Sequence, residues 1–176
     1  MTAFWVALVL MLSAVGSLLW ALPSRFEQRQ ARMRESAMRS GLSLTTLNIS
    51  DQSERGRINR SRRLVTAYRL RCPAEVMHHW PQCLLLRTTS GGAYGLPEHW
   101  CWAEQPVVFS SAQSRTLHLY LNSLPAWVEA WGITPEGVVA VIEERDGEAR
   151  IAELQSLLMN WRNGLDEQKL STHIKR

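Results

Sequence analysis

The sequence predicts an α+β protein with one N-terminal transmembrane helix, followed by a small antiparallel sheet with one or two packed helices. Three observations predict it. An uncharged run covers Phe4–Leu22, short segments rich in Leu, Val, Thr and Tyr alternate with turn residues between positions 42 and 144, and an apolar stripe at three-to-four spacing fills residues 147–163. With 176 residues, 45% hydrophobic and 20% charged, the chain has room for one compact domain and an appendage, and it is not compositionally disordered.

The uncharged run comes first. Nineteen helical residues at roughly 1.5 Å each reach about 28 Å, close to the hydrocarbon thickness of a bilayer. Trp5 and Trp20 sit near its two ends, where indoles favour the headgroup level, and Pro23 marks the exit. No Lys or Arg precedes the run, whereas Arg25, Arg29, Arg32, Arg34 and Arg39 follow it. A secretory signal has the opposite charge order, so the expectation is a single-pass bacterial inner-membrane protein, N-terminus periplasmic and C-terminal domain cytoplasmic. Ser13, Ser17 and Ala21 recur every four residues beside Gly16, a spacing that would allow a homodimer through the membrane helix.

Residues 24–41 read as a basic juxtamembrane helix. Ser24 with Glu27 forms a capping box, and Gly41 supplies the stop. Phe26, Met33 and Ala37 share one face, with Arg25, Arg29, Arg32 and Arg39 beside them, so that an anionic lipid surface is the expected partner. Residues 25–63 hold ten Arg against Glu27, Glu35, Asp51 and Glu54, a local excess of six positive charges.

A cytoplasmic domain over 42–164 follows, then a polar tail over 165–176. Leu42–Ile49, Arg63–Arg71 and Gln82–Thr89 read as strands, and the basic connector Arg55–Arg63 lies between the first two. A loop with Gly, Pro and aromatic residues runs through Tyr94 and Pro97 to Trp102. Ser114–Leu124 fits a helix through Leu117, Leu121 and Leu124, although its Leu alternation also fits a strand. Ala126–Ile133 and Val138–Glu144 flank Thr134-Pro135-Glu136-Gly137 as a hairpin. Gly147–Asn163 closes as an amphipathic helix with Gly164 as its stop.

Few residues point to chemistry. Cys72, His78, His79, Cys83, His99 and Cys101 supply zinc-type ligands, but their spacings match no common Cys/His knuckle, so neither metal nor cofactor is expected. The chain lacks GxSxG, GxxxxGK[ST] and HExxH, and it is not read as an enzyme, with no catalytic residues expected. Glu143 and Glu144 are adjacent on a strand end and point to opposite faces. The Arg55–Arg63 connector has no interleaved aromatics, which disfavours nucleic acid. Trp127 and Trp131 lie at even spacing on one strand, and Trp100 with Trp102 share a side if extended. These four are the candidate partner-binding residues, for core packing or for recognition of a protein partner.

The order of apolar span, proline and Gln/Arg-rich helix in LPSRFEQRQARMRESA (Leu22–Ala37) resembles the start of the YajC family, the small accessory subunit of the bacterial Sec translocon. The resemblance covers about the first 40 residues; Leu22 stands before the proline, and the family's Gly-rich continuation is absent. It implies an accessory role at an inner-membrane complex. The functional expectation is therefore a membrane-anchored interaction or adaptor module. Alternatives are a metal- or thiol-dependent enzyme using the Cys/His residues, and an Arg-rich nucleic-acid-binding membrane protein.

Overall fold

The computed structural model describes residues 4–6, 11, 13, 24–50, 62–89, 91–144 and 149–173. Within them, α1 (Arg25–Arg39), β1 (Ser43–Ser50), β2 (Arg62–Arg71), α2 (Ala74–Met77), β3 (Cys83–Arg87), β4 (Trp100–Trp102), α3 (Ser111–Ser123), β5 (Val128–Thr134), β6 (Gly137–Ile142) and α4 (Ala149–His173) follow one another. The six strands form one antiparallel sheet in the order β1-β2-β6-β5-β3-β4.

The membrane anchor, the single-pass topology and the inner-membrane location are corrected. Among the described residues no helix is long and apolar enough to cross a membrane. The longest, α4 with 25 residues, carries Arg150, Glu153 and Arg162, and desolvating charges at that density would cost more than its apolar residues return. The helical residues Phe4, Trp5, Val6 and Met11 are exposed. The rest of the expected span, including Trp20 and the small residues Gly16, Ser17 and Ala21, lies outside the described residues, as does most of the Arg55–Arg63 connector.

Local chemistry explains α1 closely. The Ser24 side chain accepts from Glu27 N–H, and Glu27 reaches back to Ser24 N–H at 2.6 Å. At the other end Gly41 takes φ +82, with Gly41 N–H bonded to Met38 O and Leu42 N–H to Ala37 O, a Schellman motif that satisfies two terminal carbonyls. Met33 and Ala37 are buried in the core, each large side chain so placed contributing about 1.5–3 kcal/mol. Met33 thus faces protein, while Phe26 stays exposed.

The helices cover one sheet face. By register, Leu44, Tyr68, Leu70, Val138, Ala140, Trp131, Ile133, Leu85 and Trp100 share that face, and they pack with Met33 of α1, Val76 of α2, Leu117 and Leu121 of α3, and Ile151, Leu154, Leu158 and Trp161 of α4. All four helices therefore contribute to the core, more than the one or two expected. On the opposite face Ile49, Ala67, Leu86, Ala130 and Val141 form a second apolar cluster, drawn from strands alone among the described residues, with Leu47, Val65, Leu84 and Cys101 against it. Strand β6, GVVAVI, is buried along its whole length, as a strand with apolar neighbours on both faces must be.

Other differences have local causes. Helix α4 runs through Gly164, whose Cβ position is open, because Trp161 and Leu165 continue its buried stripe. Helix α3 begins earlier than Ser114, at a second capping box made by Ser110 and Gln113. A register shift between Val128 and Ala130 breaks strict alternation at the start of β5. Gly137, at φ +146, pairs with Thr134 across the β5–β6 hairpin, where a Cβ would collide with Leu70 O.

Candidate functional site

Six aromatic rings form a column that begins at the surface and ends at the centre of the core. Trp102 on β4 stacks on Phe109 at 6.1 Å with an interplanar angle of 18°. Phe109 lies 6.2 Å from Trp80, and Trp80 meets Trp161 of α4 at 5.3 Å in a steep edge arrangement. Trp161 then contacts Tyr120 at 4.5 Å and Trp131 at 4.9 Å, with Tyr120 and Trp131 also 5.6 Å apart. Each offset or edge pair adds about 0.5–1.5 kcal/mol beyond area burial, so that β4, β5, α3 and α4 are fastened through one aromatic chain. The Tyr120 hydroxyl donates to Leu157 O at 3.1 Å, and burial raises its pKa.

The outer end of the column, Trp102 with Phe109, is half-buried and reaches the surface. Trp102 donates its indole N–H to Tyr94 O at 3.4 Å, which brings the β3–β4 loop beside it, and His118 Nε2 lies 2.9 Å from Gly95 O, tying that loop to α3. Tyr94 is 100% exposed and Val108, next to Phe109, is 90% exposed. A cleft of about 530 Å³, which reaches Val107 next to Val108, is lined by Gln82 just before β3, by Cys83 and Leu84 of β3, and by Ala103, Glu104, Gln105 and Val107 after β4. His99, in the same loop, has φ 69, a left-handed conformation uncommon outside glycine, and its carbonyl accepts from Thr88 N–H.

The four candidate tryptophans are divided by burial. Trp100 and Trp102 share the helix-covered face, but Trp100 is buried under the Arg87 guanidinium, 4.9 Å from its ring, and only Trp102 reaches the surface. Trp131 is buried at the inner end of the column, while Trp127 precedes the bulge, half-buried beneath Arg150 at 5.5 Å. Surface contact is thus open to Trp102 and Trp127 alone of the four. Tyr94, Val108 and Phe109 escaped the sequence reading because the loop has no periodicity; the available signal was the apolar pair Val107-Val108 beside Phe109 in an otherwise polar stretch.

The Cys/His residues are dispersed. Cys83 faces the helices and Cys101 the opposite side of the sheet; His78, His79 and His99 are exposed, and Cys72 follows β2. Among the described residues no three His, Cys, Asp or Glu side chains are grouped so as to hold a metal. Burial pushes the Cys83 thiol up to about 12, so it is protonated at neutral pH and a poor nucleophile.

The remaining candidates are basic. Arg25, Arg29 and Arg32 are exposed on α1, and Arg39 pairs with Glu35 at 2.6 Å. Arg63 pairs with Glu129 at 2.8 Å and Arg69 with Glu136 across the sheet. No family model, no curated protein and no solved structure matches this chain, so nothing in these comparisons supports the resemblance to the YajC family, and the site is read from its own geometry.

Proposed function

We propose that this domain is an interaction module of the adaptor type, which takes an apolar segment of a protein partner on the corner formed by Tyr94, Trp102, Val108 and Phe109. The observation that carries this reading is the stacked Trp102–Phe109 pair with Tyr94 and Val108 standing exposed beside it. Isolated exposed apolar residues are ordinary, but aromatics clustered on a rigid base are the usual anchors of protein recognition. The column behind Trp102 supplies that base, since four elements hold the stack in place and little ordering is left to be done on binding. The cleft alongside would receive the flanking residues of such a segment, with Glu104 at its rim favouring a basic neighbour.

The test is selection of peptides from a random displayed library on the full-length protein, followed by NMR mapping of the peptides recovered. Peptides with an apolar or aromatic anchor should shift the Trp102 indole and the Tyr94 and Val108 amides. Tyr94→Ser with Val108→Ser, both on exposed side chains, should weaken binding roughly tenfold, the loss of about 1.4 kcal/mol. Peptides that bind elsewhere, or that bind the double variant equally well, would refute the assignment.

A further inference from the structure

We propose that β1 is a self-pairing edge, through which two copies of this chain join antiparallel into one continuous twelve-stranded sheet. The two edges of the sheet are unlike. Strand β4 is three residues long and is followed, after Ala103, by Glu104, Gln105 and Pro106, so a further strand finds little to pair with. Strand β1 is eight residues long, pairs with β2 along its whole length without a register shift, and forms the opposite edge among the described residues. Its sequence, SLTTLNIS, has no charge, no proline and no glycine. Edge strands are normally blunted by just those devices, and an edge without them offers its outward N–H and C=O groups as a template.

The occupant is a second copy because the strand suits itself. Opposed residues of an antiparallel pair lie on the same face, which restricts a two-fold axis to a residue position. Of the two axes that keep seven of the eight residues paired, one at Leu47 opposes Leu47 to Leu47 and Thr45 to Ile49 on the face of the second apolar cluster, and opposes Thr46 to Asn48 and, at the ends, Leu44 to Ser50 on the helix-covered face. The centre of the pair is then matched, Leu with Leu on one face and Thr with Asn on the other, and the mismatches fall towards its ends. An axis at Thr46 instead opposes Leu44 to Asn48 and Ser43 to Ile49, mismatching both faces. In a two-fold pair a charge near the axis would meet its like across it, and β1 has none. Leu47 is half-buried against Ile49 and its neighbours, and the partner's Leu47 completes its cover.

The experiment measures the mass of the full-length protein by sedimentation across concentration, with three variants. The native chain should run at twice 20.1 kDa, and Leu47→Lys, which sets two ammonium groups against each other at the axis, should run as a folded monomer by circular dichroism. Leu47→Cys should form an inter-copy disulfide under mild oxidation, since directly opposed residues lie about 4.5–5.5 Å apart at Cα, within disulfide reach. Thr46→Cys, offset by two residues from its own copy, should not. A native monomer, a dimer that persists in Leu47→Lys, or crosslinking at Thr46→Cys in place of Leu47→Cys would each overturn the proposal. A monomer whose edge instead takes up an extended peptide would assign β1 to a different partner.

Discussion

The Tyr68 hydroxyl donates to Glu144 Oε1 at 2.8 Å, across a sequence separation of 76 residues, and so ties the middle of β2 to the turn just after β6. Arg34 of α1 donates to the same carboxylate, 3.0 Å from Oε2, and its own pKa is raised chiefly by that hydrogen bond. The Glu144 side chain is 11% exposed and that of Arg34 38%, so the carboxylate is largely shielded while the guanidinium still meets water, and removing both its donors would leave a shielded charge unpaired. Tyr68→Phe should cost about 1–2 kcal/mol in urea unfolding, because Glu144 retains Arg34. Glu144→Ala should cost more, about 2–4 kcal/mol, and the Arg34/Tyr68 double-mutant cycle through Glu144 should be non-additive by at least about 0.5 kcal/mol. Additive effects would mean that the three groups do not act as one unit.

Alkaline solution should destabilise the fold earlier than its positive charge suggests. Burial raises the Cys83 thiol from its ordinary 9.0 to about 12, and raises Tyr68 and Tyr120 above their ordinary 10.0. Above pH 9 the unfolded chain releases the Cys83 proton while the folded chain keeps it. The unfolded state then binds fewer protons, so stability falls with rising pH, from about 9 for the thiol and from about 10 for the two phenols. Urea midpoints measured from pH 7 to 11 should be flat at first and then decline, and Cys83→Ala should flatten the segment between 9 and 10. A midpoint independent of pH to 11 would contradict the burial of these groups.

Arg87 is a second critical cation, and its partners carry no formal charge. It donates to Val128 O at 3.0 Å, Leu124 O at 2.9 Å and Pro125 O at 3.0 Å, and its guanidinium covers the Trp100 ring. Burial lowers its pKa without discharging it at neutral pH. Lysine has one ammonium where arginine has a planar fork, so Arg87→Lys should cost about 1–3 kcal/mol by chemical denaturation and loosen the α3–β5 junction in amide exchange. Equal stability of the two would show that charge alone suffices there.

Two glycines should respond oppositely to alanine. At Gly137 the backbone is in a region side chains avoid and a Cβ would meet Leu70 O, so Gly137→Ala should lose at least about 2 kcal/mol and distort the hairpin. At Gly164 the helix continues with open space at the Cβ position, so Gly164→Ala should gain about 0.5–1 kcal/mol in urea unfolding. A loss at Gly164 would place a constraint on α4 that its packing does not show.

Legibility followed the length scale of the cause. Ser24, Glu27 and Gly41 delimit α1 through contacts within a few residues, and the apolar stripe Ile151, Leu154, Leu158 and Trp161 is a repeat confined to one helix; both could be read directly. Strand β4 was read as loop because three residues carry no period, and it exists only through pairing with β3. Trp127 lies just before β5, ahead of a bulge that is a property of the β5–β6 ladder and not of local sequence, and it packs against the same core cluster as Trp131. Burial of Trp100 and Trp131 depends on helices packed over the sheet from elsewhere in the chain, so that in sequence these two tryptophans are equivalent to Trp102. The uncharged run Phe4–Leu22 shows the opposite hazard, where composition suggested a span that no described helix provides.

The aromatic column gives the domain an optical property of its own. Trp80, Trp161 and Trp131 follow one another at ring separations of about 5 Å, and Trp102 lies one ring further out beyond Phe109, so that excitation absorbed by one indole can pass through space to the next before it is emitted. Quenching applied at Trp102 by any molecule seated there will therefore drain light from indoles that the molecule never touches. Fluorescence from the middle of this protein reports on its surface.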